Sequence, residues 1–341
     1  MPEMQGRAHH FFQGADDVKT IGFHASHEQF SPHELLDYVR LAEAAGFERI
    51  TASDHFHPWS EAQGQSGFVW SWLGAAMALT SERLGYLTVS APGWRYHPAV
   101  LAQAGATLAV MFPDRLWMAL GSGEALNESI IGQYWPPKAE RNARLQECAH
   151  VIRALWAGET VTHRGRIVVE EAKLYSRPER APRLIGAAVT AETARWVGSW
   201  ADGLITVAGG PVEKLRRVIG AFREGGGEHK PVFAQVKLAW GPDEAAARED
   251  AFHQWRTNLV EGDAAWDLRS PAQFEHAAVY TRLGDLDKSV RVSRDLAQHA
   301  EWIREYIAAG LDEVSLHNVG TNQRAFIEAF GERVLPAVRT A

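Results

Sequence analysis

The feature that most constrains the fold is an alternation, kept up along nearly the whole chain, of short β-branched runs with longer stretches of helical spacing. "TIGFHAS" leads into "PHELLDYVRLAEAAG", "GYLTVSA" into "HPAVLAQAGATLAVM", and "RLWMALGSG" into "ARLQECAHVIRALWAG". After a polar, hairpin-like stretch from Glu159 to Pro178 the series resumes and runs to "DEVSLHNVG" and "NQRAFIEAFGERVL". Strand-length runs open at Thr20, Arg49, Gly85, Leu116, Arg183, Gly203, Pro231 and Asp312. Eight strands with helices between them predict an α/β fold of the (β/α)8 TIM-barrel type; a doubly wound open sheet needs fewer. Two distant segments, Leu41 to His55 and Arg304 to Asn318, repeat one unit: a helix ended by Ala-Ala-Gly, an acidic turn, then a strand. The glycine suits the left-handed residue that stops a helix, and recurrence near both ends fits a closed ring. At 341 residues and 46% hydrophobic composition, residues 1–341 are expected to form a single barrel domain. The weakly patterned residues from about 241 to 300 are too long for a simple βα loop and read as an insertion between the last two strands.

The formal charge of -7 comes from 35 basic and 42 acidic residues spread along the chain. Without a basic block, neither nucleic acid nor an anionic membrane is expected as a partner. Cys148, the single cysteine, falls at a helical apolar spacing. It reads as a small buried hydrophobe and suits a reducing cytoplasm. The first residues, "MPEMQGRAHHFFQGADD", carry no apolar core of signal-peptide length, and no segment offers about 18 uninterrupted apolar residues. A soluble cytoplasmic protein is the expectation. Thirteen tryptophans are enough for some to line a site.

In a barrel of this type the active site gathers at the carboxyl ends of the strands. There the second strand offers Asp54-His55-Phe56-His57-Pro58-Trp59, the third the stretch from Thr88 to Pro98, and the fourth Gly121 to Glu128. His55 and His57 form a His-x-His as found in metal-dependent hydrolases, but such sites need further ligands after later strands. The fifth and sixth strand ends, "LIGAAVT" and "GLITVAGG", supply none and only His317 remains, so no metal is expected. "GSGEALNE" offers free backbone amides before a helix, which suits an anion and equally a tight turn capped by Glu124 and Asn127. Taken singly, His55 reads as a satisfied core histidine and Trp59 as packing. An acid, a base and an indole at three adjacent strand ends together point to a site.

In order and spacing, Asp54-His55-Phe56-x-Pro58-Trp59, Arg95-Tyr96-x-Pro98-Ala99-x-x-Ala102-Gln103 and Gly121-x-Gly123-Glu124-Ala125-Leu126-Asn127-Glu128 resemble the luciferase-like superfamily. Within it they are similar to the coenzyme F420-dependent oxidoreductases typified by glucose-6-phosphate dehydrogenase. The resemblance implies a deazaflavin lying across the barrel mouth, and an alcohol or sugar hemiacetal carbon that exchanges a hydride with C5 of its ring. It assigns cofactor contacts to Asp54 and Asn127, and removal of the hydroxyl proton to His55. Trp59 would help hold the developing charge, and Glu124 would face the pyrimidine side of the ring as acid or electrostatic partner. It implies a non-prolyl cis peptide at Thr88-Val89 under the ring, backbone amides at Ala188, Val189 and Thr190 for the phosphate tail, and a homodimer. The chemistry needs these types: histidine titrates near neutrality, as a general base should, and a buried carboxyl raised in pKa can donate a proton. A flavin-dependent monooxygenase of the same superfamily is the alternative, and Asp54-His55-Phe56 argues against it.

The sugar-phosphate enzymes hold the substrate phosphate with basic groups at three places that this chain lacks. A lysine after the sixth strand is replaced by Gly209-Gly210-Pro211, a lysine-histidine pair by Ala265-Trp266, and a later arginine by Ser289 beside Lys288. Arg269 and Lys288 are the nearby cations that would rebuild such a site. The expectation is an unphosphorylated substrate, with the glycines leaving space, and the alternative is a true sugar-phosphate dehydrogenase. The glycine pair often found in the cofactor-phosphate loop is here Val189-Thr190.

Overall fold

The computed structural model describes residues 19–260 and 262–339; the N-terminal stretch read above for a signal peptide lies outside them. In chain order the strands are β1 (Thr20–Ala25), β2 (Arg49–Ala52), β3 (Gly85–Ser90), β4 (Leu116–Leu120), β5 (Val161–Arg164), β6 (Val168–Ala172), β7 (Arg183–Ala187), β8 (Leu204–Ala208), β9 (Val232–Trp240), β10 (Arg291–Ser293) and β11 (Glu313–Asn318). Eight of them, β1-β2-β3-β4-β7-β8-β9-β11, pair in parallel and close on themselves through β11 and β1. The barrel starts where the hydrophobic runs place it: five strands begin on the expected residue and the other three one residue later. Parallel pairing demands a crossover between neighbours, and helices such as Pro32–Ala44, Pro98–Met111 and Lys138–Ala157 supply it. The repeated unit ends as its sequence requires, with Gly46 at φ 94 and Gly310 at φ 110, the left-handed region that a side chain would strain.

The stretch from Glu159 to Pro178 contains the antiparallel hairpin β5-β6, outside the ring. Between β9 and β11 the chain forms the helices Glu244–Trp255, Pro271–Ala277 and Leu296–Ala308 and the short strand β10, which pairs with the carboxyl end of β9. The part of this segment that carries Phe274 reaches the barrel mouth, where Phe274 packs on Trp59; Leu296–Ala308 joins the outer helices against Leu335–Arg339. Cys148 is buried, as its spacing implied. Among the described residues no helix is long and apolar enough to cross a membrane.

The barrel interior is divided. On the β3-β4-β7-β8 side Leu87, Trp117, Ala119, Ile185 and Ile205 pack with Phe233 into an apolar wall, with Val89 and Ala187 above them. On the β1-β2-β11-β9 side the inward positions are polar. His24 Nδ1 lies 2.8 Å from Thr51 Oγ1, which lies 2.5 Å from Ser315 Oγ. His317 is bonded on both ring nitrogens, to Gln235 Nε2 at 2.8 Å and Gln29 Oε1 at 3.0 Å. At the base Arg49 Nε donates to Glu313 Oε2 at 2.9 Å and the guanidinium stacks on Trp117. Burial holds His24 near pKa 4 and His317 well below its ordinary value, so both rings are neutral hydrogen-bonding groups at pH 7.

Candidate active site

Three strand ends converge as the sequence implied, and a fourth joins them. His55, just past β2, has Nδ1 3.2 Å from Glu28 Oε1 and Nε2 3.9 Å from Glu124 Oε2. Its ring lies against Trp59, whose indole packs edge-on to Phe274 from the segment between β9 and β11. Glu28 follows β1 and is buried; its Oε2 accepts from Ser53 Oγ at 2.6 Å and Ser26 Oγ at 3.0 Å. Burial alone pushes the Glu28 carboxyl up, but His55 and the Ser53 hydroxyl outweigh it and hold it below its usual range. An ionised acid behind a histidine orients the ring and stabilises its protonated form. Glu124 is pushed the other way, upward, by burial and by Glu28, against the pull of His55 and Lys237. The two acids on either side of His55 thus differ in proton affinity, as an acid and base assignment requires.

Asp54, expected as a cofactor contact, is engaged within the protein. Its carboxylate is almost wholly buried and already holds three donors: Ser90 Oγ, Tyr96 Oη at 2.8 Å and Arg95 Nη2 at 3.0 Å. Arg95 also pairs with Glu128, Nε to Oε1 at 3.2 Å, and its side chain is 8% exposed. Desolvation raises Glu128 to about pKa 7 although Arg95 opposes it. Asn127 spends its Oδ1 on the Phe56 and His57 N–H groups, at 2.9 and 3.3 Å, and its Nδ2 on Glu124 at 3.4 Å. Asn127 therefore clamps the loop that carries His55 to the helix start that carries Glu124. His57 Nδ1 faces the Leu126 carbonyl at 2.8 Å, the same clamp from the other side. Among the described residues no group of three or more His, Cys, Asp or Glu is arranged to hold a metal ion.

The Thr88–Val89 peptide corrects the expectation of a cis bond: no cis peptide occurs among the described residues. Both residues keep regular parallel partners, Met118 and Ala119 on β4, which a trans peptide satisfies. In the expected tail site, Ala188 spends its N–H on the Ile205 carbonyl. Thr190 caps the helix Ala191–Gly198 with its own hydroxyl, accepting from Thr193 N at 3.3 Å. Of the three, Ala188 is thus withdrawn from anion binding by the barrel ladder. The space expected at Gly209-Gly210 is filled: a Cβ on Gly210 would sit 2.1 Å from the Lys288 carbonyl, and one on Gly209 2.1 Å from that of Ser289. Glycine is there because another backbone crosses at contact distance. Lys288 is largely exposed and pairs with Asp285. Arg269 lines a crevice with Tyr134, Trp135, Lys138, Arg141 and Trp266, and Trp135 of that set packs with Ala125, next to Glu124 in the chain.

The mouth fits a flat ring. Val89, Gly121, Ala187 and Val207, the last inward residues of the apolar wall, are partly open while the residues below them are buried. A Cβ on Gly121 would meet Val89 and Ala187 at 3.7 and 3.8 Å, so small residues leave a level apolar floor. Glu124 stands at its edge. Glu28 and Lys237 were not singled out from sequence; Arg95 and Tyr96 were read there as motif residues without a role. Inspecting the first strand end, "SHEQF", by the rule applied to the next three would have found Glu28.

A family model described as luciferase-like monooxygenase matches residues 12–313. F420-dependent glucose-6-phosphate dehydrogenase of Microbacterium testaceum is 36% identical over 94% of this chain and 97% of its own length. The enzyme of the same name from Beutenbergia cavernae is 35% identical over the same shares. Among solved structures, an F420-dependent secondary alcohol dehydrogenase in complex with an F420-acetone adduct superposes with a TM-score of 0.88 at 30% identity, covering 94% of this chain and 99% of that one. Coenzyme F420-dependent tetrahydromethanopterin reductase from Methanopyrus kandleri shares the fold, with a TM-score of 0.76 at 18% identity.

Proposed function

Because the chain belongs to the luciferase-like monooxygenase family, and its mouth sets a histidine between two carboxyls beside an apolar floor, we propose that it is a coenzyme F420-dependent oxidoreductase acting on CH-OH groups. The observation that carries this reading is His55 placed 3.2 Å from Glu28 and 3.9 Å from Glu124 at the rim of that floor. The bound deazaflavin would supply the hydride acceptor at ring carbon C5. Val89, Gly121, Ala187 and Val207 would carry its face, and Glu124 would stand at its pyrimidine edge. Asp54 and Asn127 act from behind: Asp54 through the buried Arg95 and Tyr96 contacts, Asn127 by holding the His55 loop against Glu124. Val189 and Thr190 are the amides offered to the tail.

In the oxidative direction His55 Nε2 takes the substrate hydroxyl proton, and the Glu28 carboxylate behind Nδ1 stabilises the imidazolium so formed. Trp59 and Phe274 close the side of the pocket and keep water from the hydride path. Glu124, its carboxyl raised by burial, would hold a proton available to a bound deazaflavin. In the reductive direction the same groups run in reverse.

The substrate is an alcohol or sugar. Three cationic positions of the sugar-phosphate enzymes are absent, which favours an unphosphorylated one; of the nearby cations, Lys288 pairs with Asp285 and Arg269 lines a crevice with Trp266. With F420 present, glucose and simple secondary alcohols should bleach the deazaflavin at least as efficiently as glucose 6-phosphate. A hundredfold preference in kcat/KM for the phosphorylated sugar, about 2.7 kcal/mol, would reverse that assignment.

The protein works as a single-domain cytoplasmic homodimer, with residues of about 241 to 300 as an insertion on the barrel. The helices Val69–Leu79 and Pro98–Met111 support a dimer by exposing the apolar side chains Leu79, Val100, Val110 and Met111, of the kind that a second copy covers. Changing Val110 and Met111 to Glu should convert a dimer in light scattering to a monomer with its fold kept. A wild-type monomer contradicts the dimer.

A further inference from the structure

We infer that Lys237 is a substrate-binding residue, its ammonium holding an oxygen of the substrate other than the hydroxyl that is oxidised. This rests on the proposed reaction and names what the same mouth selects. β9 runs Phe233, Gln235, Lys237 along its inward face toward its carboxyl half: Phe233 packs in the apolar wall, Gln235 bonds His317, and Lys237 follows, with the small Ala239 beyond it. Its register partner is His317 on β11. Like Glu124 and His55 it is only partly buried where its neighbours along the strand, Val236 and Leu238, are closed.

Among the described residues the Lys237 ammonium makes no hydrogen bond and no ion pair, and its contact is the face of Trp255, 5.3 Å from the ring centroid. Trp255 itself packs edge-on to His317, so the cation sits against the polar wall. The surroundings give it no anion: His24 and His317 are neutral, and the nearest acid that acts on it is Glu124 across the mouth. Burial, with Lys214 adding to it and Glu124 opposing, brings the amine down to about 8, so it is still mostly protonated at pH 7. A cation left without a partner beside the proton-transfer groups costs stability, and a ligand oxygen removes that cost. The apolar wall gives the flat ring its face and the polar wall gives Lys237, so an oxygen-rich substrate lies toward β9 and β11 with its reacting carbon toward His55.

The test compares wild type and Lys237→Met with F420 on glucose, glucose 6-phosphate and cyclohexanol. The variant should lose about 10- to 150-fold in kcat/KM on an oxygen-rich substrate, the loss of one hydrogen bond to a charged group, and less than about threefold on cyclohexanol. Selective loss on glucose identifies a ring hydroxyl as the bound oxygen; selective loss confined to glucose 6-phosphate identifies the phosphate. Equal losses on all three, or none, overturn the assignment. A second measurement needs no turnover and no variant: amine acylation of the cofactor-free wild-type protein at about pH 8, read by mass spectrometry. Saturating glucose or glucose 6-phosphate should protect Lys237 and cyclohexanol should not; acylation unchanged by either sugar overturns the assignment. Protection without hydride transfer from any alcohol upholds Lys237 and counts against the proposed reaction.

Discussion

Replacing His55 with alanine should cut hydride-transfer turnover by roughly 10²–10⁴-fold, the range for a lost general base, while F420 binding is largely kept. The separation follows from where His55 sits. Its ring reaches Glu28, Glu124 and Trp59, whereas the level floor for a ring is built from Val89, Gly121, Ala187 and Val207. Alanine removes the proton acceptor and leaves that floor intact. It also removes the partner that, with Ser53, keeps Glu28 ionised against burial. A carboxylate lowered in the folded state contributes stability above its unfolded pKa and loses it as pH falls; without His55 that contribution shrinks. His55→Ala should therefore lose some thermal stability at neutral pH, and the deficit should narrow under acid. Near-normal hydride transfer by the variant, measured with saturating cofactor in single turnovers, would make His55 a packing residue.

Arg95→Met carries the largest expected effect on stability. Among the described residues Arg95 is the cation paired with two buried carboxylates, Asp54 and Glu128, and breaking such a group by removing one member costs about 3–5 kcal/mol. The pH dependence has a definite sign. Glu128 titrates at about 7 in the folded chain, above the ordinary value of 4.5, so the folded state takes up a proton that the unfolded state releases; its titration favours folding as pH falls through 7. Without the Arg95 guanidinium, burial acts on Glu128 against the residue 95 N–H alone and raises it further. The deficit of Arg95→Met against wild type, followed by denaturant unfolding, should be largest at about pH 8 and shrink toward about pH 5. A deficit below about 1 kcal/mol at every pH, the scale of an exposed pair, would mean that the carboxylates do not depend on Arg95.

The fold was legible because a parallel barrel strand must be apolar on the outward face that its helix covers, and each such run is bounded by a turn; the strand starts fall within one residue of the pattern. The site was legible where chemistry is concentrated in sequence: His55, Trp59 and Glu124 meet as the motifs imply. Contacts between residues far apart in the chain were not legible. Asp54 carries the motif but faces inward to Ser90, Tyr96 and Arg95, and its partners Ser90 and Arg95 lie 36 and 41 residues away. Gly209 and Gly210 read as open space because no local pattern reports the Lys288 and Ser289 backbone crossing them. Lys237 is one residue in an apolar strand, and its importance comes from the inward alternation of β9 and the lack of a partner, both properties of the closed ring.

The central claim is that this mouth was built for a deazaflavin, and it is tested most directly by asking which ring the purified protein binds. Several indoles, Trp59 among them, lie near the site, so intrinsic tryptophan fluorescence should report either ring. Titration with coenzyme F420 should give saturable quenching at low micromolar concentrations or tighter, and flavin mononucleotide should bind poorly. Tight binding of flavin mononucleotide with none of F420 would contradict the account and return the protein to the flavin-dependent monooxygenases of its family.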